Sequence, residues 1–108
     1  MADLNSAGGA PVTVRTSHEG STPVVSIAGE LDLSNADAVR SAIEDELTPS
    51  TPKLVFELSE LHFMDSSGIA LLASLAQSVQ EVELRHPTDI VRRILQITGV
   101  DQWLPMTP

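Results

Sequence analysis

Four stretches of the chain have the residue pattern of β-strands. Residues 12–16 and 81–85 alternate between apolar and polar side chains, which predicts strands with one buried face. Residues 23–28 follow the first of these after a short turn, so we expect the two to pair antiparallel. Residues 53–58 contain the uninterrupted apolar run Leu54-Val55-Phe56, which indicates a strand that is buried on both faces.

Three further stretches repeat apolar residues at the spacing of amphipathic helices. The first is predicted to open at Ser34, because Asp37 three residues later fits a capping box, and to end at the proline-containing segment 48–52. The second covers residues 66–79 and contains no charged residue. The third covers residues 87–99, with a proline at its start and a glycine at its end.

The predicted order of elements is therefore β-β-α-β-α-β-α. Strands that alternate with helices require right-handed crossovers and lie parallel to one another. We predict a single α/β domain with a mixed four-stranded sheet, in which strands two to four are parallel and strand one is antiparallel. Residues 29–33 are expected to form a loop, residues 1–11 a flexible N-terminal tail, and residues 12–108 the domain.

Composition and charge exclude several classes of function. The formal net charge of −9 argues against binding to nucleic acid or to anionic lipid, because both need a positive surface. The same charge suits a basic protein partner, or it simply keeps a small protein soluble. No apolar run approaches the roughly 18 residues of a membrane span, and the N-terminus lacks the layout of a signal peptide. We therefore expect a cytoplasmic protein without direct membrane binding.

No residue pattern indicates a metal or a cofactor. The chain has no cysteine, and it lacks both a glycine-rich dinucleotide motif and a Walker lysine motif. The histidines at positions 18, 62 and 86 do not have the spacing of metal ligands. Trp103 is expected to cover the core near the C-terminus or, alternatively, to anchor an interface.

The most informative segment is Asp65-Ser66-Ser67-Gly68. It stands where the uncharged helix is predicted to begin, at the carboxyl end of the sheet, where open α/β folds place functional groups. Unpaired backbone N–H groups there favour a negative charge, so a phosphate on Ser66 would meet waiting donors, and Gly68 would leave the backbone open to a kinase. The structural alternative is that Asp65 or Ser66 simply caps the helix.

A hydrolase triad of His62, Asp65 and Ser66 is a further alternative. Triads converge from separate elements and need an oxyanion hole, and the chain has no G-x-S-x-G nucleophile elbow. We therefore predict that the protein is not an enzyme.

Two separated motifs carry a family resemblance. The first is Gly29-Glu30-Leu31-Asp32, and about thirty residues later comes Phe63-Met64-Asp65-Ser66-Ser67-Gly68-Ile69. Further along, Pro87 is followed by Ile90-Val91-Arg92-Arg93-Ile94-Leu95 and by Thr98-Gly99-Val100. Together these segments, over roughly residues 12–104, resemble a STAS domain, and in particular the anti-sigma factor antagonists.

The resemblance implies a switch controlled by phosphorylation. In that family a partner that is both anti-sigma factor and serine kinase phosphorylates the serine directly after the aspartate, which here is Ser66. The unphosphorylated form binds the partner and frees a sigma factor; the phosphorylated form releases the partner, and a PP2C-type phosphatase resets the switch. The resemblance also implies that Asp32 contributes to partner binding. The implied contact surface comprises Asp32, Asp65, Ser66, Ser67, Gly68 and Ile69.

One alternative lies within the same family. Accessory subunits of membrane lipid ABC transporters are STAS domains that bind their ATPase without phosphorylation. They often carry threonine and alanine where this chain has Ser66 and Ser67, so the two serines favour the switch. The chain also departs from the antagonists between Gly68 and Pro87, where the segment is short and lacks a Gly-Gly turn and the usual basic residues. This departure alters the expected shape of the partner surface.

Overall fold

The computed structural model of the protein describes residues 2–3, 11–102 and 104–107. The strands within these residues are β1 (Ala2–Asp3), β2 (Val12–Glu19), β3 (Thr22–Leu31), β4 (Lys53–Glu57), β5 (Leu61–Met64), β6 (Glu81–Arg85) and β7 (Met106–Thr107). The helices are α1 (Ala36–Glu44), α2 (Ser66–Ala76) and α3 (Asp89–Thr98), followed by a short 3-10 turn, Val100–Gln102.

The strands form one mixed sheet in the order β1-β2-β3-β4-β6-β7, with β5 paired to β3 beyond the end of β4. β2 is antiparallel to β3, whereas β3, β4 and β6 are parallel, as predicted. The predicted strand count of four is wrong, because the described part of the chain contains seven. β1 and β7 are two-residue strands, too short to show a pattern, and β5 buries only its two end residues, so it lacks the alternation of a strand.

The expected loop at residues 29–33 is wrong in its first half, because β3 continues through Leu31. Gly29 has a φ of +102° and lies at an irregularity in the pairing, where β3 exchanges β4 for β5 as its partner. A Cβ atom at this position would lie 2.3 Å from the Pro11 carbonyl oxygen. Only glycine fits both the conformation and the space, so Gly29 extends β3 towards the second motif.

Several helix boundaries also differ from the prediction, and α1 ends at Glu44, before the predicted end at segment 48–52. α1 begins at Ala36 with Asn35 as N-cap, so the proposed capping box of Ser34 and Asp37 is wrong. α2 ends at Ala76, three residues before the predicted end. The third helix is confirmed, although α3 begins at Asp89, two residues after the predicted start; Gly99 follows its last residue and adopts a left-handed conformation with a φ of +80°.

All three helices pack against one face of the sheet. The buried residues of this core come from alternate positions of β2, β3, β4 and β6 and from one side of each helix; they include Val14, Ile27, Phe56, Leu84, Ile43, Leu72 and Leu95. This arrangement places the carboxyl ends of β3 and β5 beside the start of α2.

The opposite face of the sheet carries no helix within the described residues. Val24 and Val55, which pair across β3 and β4, are nevertheless buried there. Ion pairs lie around them, among which Lys53 Nζ is 3.0 Å from Glu83 and Arg85 is 2.7 Å from both Glu83 and Glu19. Hydrogen bonds from Arg85 and Lys53 lower the pKa of the Glu83 carboxyl, and a hydrogen bond from Arg85 lowers that of Glu19.

The limits of the domain stay a prediction. Ala2 and Asp3 pair with Val14 and Thr13, so the segment predicted as a tail includes a two-residue strand. The expectation for Trp103 falls on a residue that lies outside the described part of the chain.

Candidate functional site

The two separated sequence motifs meet at one edge of the sheet. In the parallel pairing of β3 with β5, Leu31 lies opposite Met64, and the backbone N–H of Asp65 donates to the Leu31 carbonyl over 3.1 Å. Asp32 and Asp65 therefore follow directly after paired residues of neighbouring strands. Because parallel strands end at the same edge, both aspartates lie at the position where α/β folds place their functional groups.

Asp65 is the N-cap of α2. One of its carboxylate oxygens accepts hydrogen bonds from the backbone N–H groups of Ser67 (2.8 Å) and Gly68 (3.3 Å). Of the two proposed caps, Asp65 is thus correct and Ser66 is wrong. The expectation that these N–H groups wait for a phosphate is also wrong, because the Asp65 carboxylate already occupies two of them.

Ser66 is the first residue of α2 and is exposed. Its hydroxyl makes no hydrogen bond to any residue in the described ranges 11–102 and 104–107. Because Asp65 performs the capping, the Ser66 side chain has no part in holding the helix terminus. It is therefore an exposed hydroxyl at the first position of a helix.

Gly68 faces the interior rather than an incoming enzyme. A Cβ atom here would lie 2.4 Å from Met64 Cγ and 3.1 Å from Leu31 Cδ2, so glycine allows the first turn of α2 to lie against β5. The argument that Gly68 opens the backbone to a kinase is wrong for this reason. Ile69 is half-buried against the core, and Ser67 is half-buried as well. The exposed part of the predicted contact surface centres on Ser66.

A buried asparagine holds the loop that carries Asp32. The Asn35 side chain is 2% exposed; its Oδ1 accepts from the Asp32 backbone N–H at 3.0 Å, and its Nδ2 donates to the Glu30 carbonyl at 2.8 Å. The Asp32 carboxylate in turn accepts from the Ser34 backbone N–H at 2.9 Å. Asn35 was not among the residues predicted for the site. The signal that points to it is an asparagine directly before Ala36, the first residue of the apolar helical repeat.

A shallow groove of about 210 Å³ lies between α1 and α2, and Ser67, the residue after Ser66, contributes to its lining. Its lining residues are Leu33, Ala36, Asp37, Arg40, Ser67, Ala70 and Leu71. On its rim Arg40 donates to Asp37 over 2.7 Å. Leu33, which follows the first motif, is 81% exposed, and Phe63, the first residue of the second motif, is 39% exposed. Each motif is thus accompanied by a large apolar side chain that is exposed to solvent.

The geometry gives no support to the hydrolase alternative. His62 is exposed on β5, and among the described residues no hydrogen bond joins it to Ser66. Within the same residues, no group of three histidine or carboxylate side chains is placed to hold a metal ion. No helix in the described part of the chain has both the length and the apolar character needed to span a membrane.

Comparison with known proteins gives related matches in sequence and in structure. The family model described as "Mlab, STAS domain" matches residues 14–108. The chain is 30% identical over 94 residues to the anti-sigma-F factor antagonist RsfB of Mycobacterium tuberculosis, which covers 84% of this chain and 77% of the relative. The crystal structure of an anti-sigma factor antagonist from Mycobacterium paratuberculosis is similar with a TM-score of 0.82 at 29% identity, covering 90% of this chain and 86% of that one.

The same fold occurs in SpoIIAA, an anti-sigma factor antagonist solved in two states. Its unphosphorylated form has a TM-score of 0.75 and its phosphorylated form, from Bacillus, one of 0.67, both at 22% identity. They cover 89% of this chain in each case, and 89% and 92% of the respective SpoIIAA chains. The sequence match over residues 14–108 and this fold agree, and the chain belongs to the STAS domain family.

Proposed function

We propose that this chain is an anti-sigma factor antagonist switched by phosphorylation of Ser66. The observation that carries the proposal is the division of work at the start of α2: Asp65 caps the helix, and the Ser66 hydroxyl is left exposed and unbonded among the described residues. A serine with no structural task at the meeting point of two motifs is suited to modification. The names of the mycobacterial relatives support the same function.

In this proposal the unphosphorylated chain binds an anti-sigma factor that is also a serine kinase. The contact surface is centred on Ser66, with Asp32 and the exposed apolar residues Leu33 and Phe63 around it. Binding occupies the anti-sigma factor and frees its sigma factor. Phosphorylation releases the partner, and a PP2C-type phosphatase restores the binding form. The chain acts as a regulatory binding protein of the cytoplasm, without catalysis and without contact to nucleic acid or membrane.

The physical basis of release is the cost of burying a charge. Burying a neutral hydroxyl in an interface costs little, because the group loses only a hydrogen bond to water. A phosphoserine adds about −1.5 to −2 charges at pH 7. Desolvating such a group without new partners costs at least several kcal/mol, and about 1.4 kcal/mol is tenfold in affinity. The Asp65 carboxylate beside Ser66 adds repulsion and has already taken the nearest backbone donors.

The experiment that tests the proposal is site mapping after kinase treatment. The purified chain is incubated with ATP and the anti-sigma factor kinase of its source organism, and intact mass and tandem mass spectrometry locate the phosphate. We expect one phosphate on the native chain and on the matched control Ser67→Ala, and none on Ser66→Ala. Modification of Ser67 in place of Ser66 would contradict the proposal.

A different result would support the transporter alternative. If no serine kinase of the organism modifies the chain, and the chain co-purifies instead with the ATPase of a lipid transporter, the accessory-subunit function is correct. Both arms use the full chain, with the kinase in the first and a lysate of the source organism in the second, so one preparation of the chain distinguishes the two functions.

A further inference from the structure

A phosphate on Ser66 would need a positive partner that the start of α2 does not supply. The backbone N–H groups of Ser67 and Gly68 already donate to the Asp65 carboxylate. That carboxylate is also the nearest charge along the chain, and it has the same sign as the phosphate. This inference rests on the proposed function, because it concerns the phosphorylated form of the same site.

Arg40 is the positively charged residue that lies beside the first two turns of α2. Its side chain lines the groove between α1 and α2 together with Ser67 and Ala70. Ser66 stands four residues before Ala70, so the two share one face of the helix, one turn apart. Ser66 is the residue before Ser67, so the groove that Arg40 lines borders the turn of α2 that carries Ser66.

The present partner of Arg40 is easily exchanged. Arg40 bonds Asp37 over 2.7 Å, but the two side chains are 41% and 92% exposed. Exposed ion pairs of this kind contribute between about 0 and 1 kcal/mol, because water screens the charges and two long side chains must be held in place. A phosphoserine carries up to about twice the charge of a carboxylate and accepts both arms of a guanidinium at once.

We propose that Arg40 is the phosphate-binding residue of the phosphorylated form, and that it leaves Asp37 to pair with the phosphate on Ser66. The other described Lys and Arg residues lie elsewhere. Arg15, Lys53 and Arg85 lie on strands, on the sheet face that carries no helix, and Arg92 and Arg93 lie on α3. The carboxylate that competes with the phosphate for Arg40 is that of Asp37, while the Asp32 carboxylate is bonded to Ser34 and the Asp65 carboxylate to Ser67 and Gly68. Movement of Arg40 also changes the groove that Leu33 and Leu71 line, and so the surface offered to the partner.

The test is a phosphorus NMR titration of the full chain with phosphoserine encoded at position 66 during synthesis. A nearby guanidinium lowers the pKa of the second phosphate ionisation, since it favours the dianion. We expect Arg40→Ala to raise this pKa by about 0.5 or more relative to the parent phosphoprotein, an effect in the direction and range of exposed opposite charges. Arg40→Lys keeps the positive charge but not the two-armed guanidinium, so its phosphate pKa should lie between those of the parent phosphoprotein and Arg40→Ala.

Arg93→Ala is the matched control, since it removes one positive charge from an exposed arginine on α3. It should leave the phosphate pKa nearly unchanged. Equal shifts in Arg40→Ala and Arg93→Ala would show that the arginine acts only through net charge, and an unchanged pKa in Arg40→Ala would overturn the pairing outright. Arg40→Gln, which keeps hydrogen-bond donors but no charge, repeats the test should the alanine variant unfold.

Failure of this inference and failure of the proposed function give different results. The phosphoserine is installed without a kinase, so the titration reads the Arg40 contact even if no natural kinase modifies Ser66. Conversely, modification of Ser66 by the kinase together with an unchanged phosphate pKa in Arg40→Ala would retain the switch and discard the role of Arg40.

Discussion

Replacing Asn35 by alanine should destabilise the protein far more than its position in a surface loop suggests. The Asn35 side chain is 2% exposed and bonds two backbone groups, the Asp32 N–H at 3.0 Å and the Glu30 carbonyl at 2.8 Å. Truncation removes both partners at once. Both hydrogen bonds are part-buried, and a backbone group that loses its partner costs about 1–3 kcal/mol, so we expect a loss of about 2–4 kcal/mol in unfolding free energy.

Urea unfolding of Asn35→Ala is the assay, with Asp37→Ala as control two residues along the chain. The control breaks an exposed ion pair and should cost about 0.5 kcal/mol or less. For a domain of this size, the loss in Asn35→Ala corresponds to a fall in Tm of roughly 10 to 20 °C. A loss as small as that of the control would refute the reasoning, because it would mean that Glu30 and Asp32 find other partners without cost.

Three further predictions concern packing, the contact surface and pH. Gly68→Ala adds a methyl group 2.4 Å from Met64 Cγ, and the overpacking cost of about 1–3 kcal/mol exceeds the gain of about 1 kcal/mol in helix propensity. Urea unfolding should therefore show a lower unfolding free energy for Gly68→Ala, and this loss should disappear in a Met64→Ala background. A higher unfolding free energy would contradict this contact. Asp32→Asn keeps an acceptor oxygen and should leave Tm within a few degrees, as at other surface sites, while calorimetry shows weaker partner binding; unchanged affinity would remove Asp32 from the contact surface. Hydrogen bonds lower the pKa of Glu83 and Glu19 in the folded state. The stability that these carboxylates contribute is therefore present above the pKa of an unfolded glutamate and is lost as the pH falls through their folded pKa values. Tm measured over a series of pH values should drop on acidification, and the drop should be smaller in Glu83→Gln.

The sequence predicted most of the fold where side-chain periodicity reports burial. The strand directions and the start of α2 followed from such patterns. β5 was missed because His62 and Phe63 between its buried ends are both exposed, so neither a strand nor a helix period is present. The extension of β3 was missed because glycine predicts a loop, whereas Gly29 here accommodates a change of strand partner.

The site was predicted in position but not in its internal contacts. The family resemblance implied that Asp32 and Ser66 share one contact surface, but the role of Asn35 depends on two backbone groups that only the folded loop brings within reach. Gly68 likewise has a tertiary reason, the closeness of Met64 to the first turn of α2. Sequence patterns report which residues are buried, but not which atoms they meet there.

The central claim is that a charge on Ser66 controls partner binding, and titration calorimetry with the anti-sigma factor kinase tests it most directly. Unphosphorylated chain and Ser66→Ala should bind with similar affinity, because Asp65 caps α2 in both. The phosphorylated chain should bind a hundredfold or more weakly, which corresponds to about 2.7 kcal/mol or more. Equal affinity of the phosphorylated and unphosphorylated forms would contradict the account.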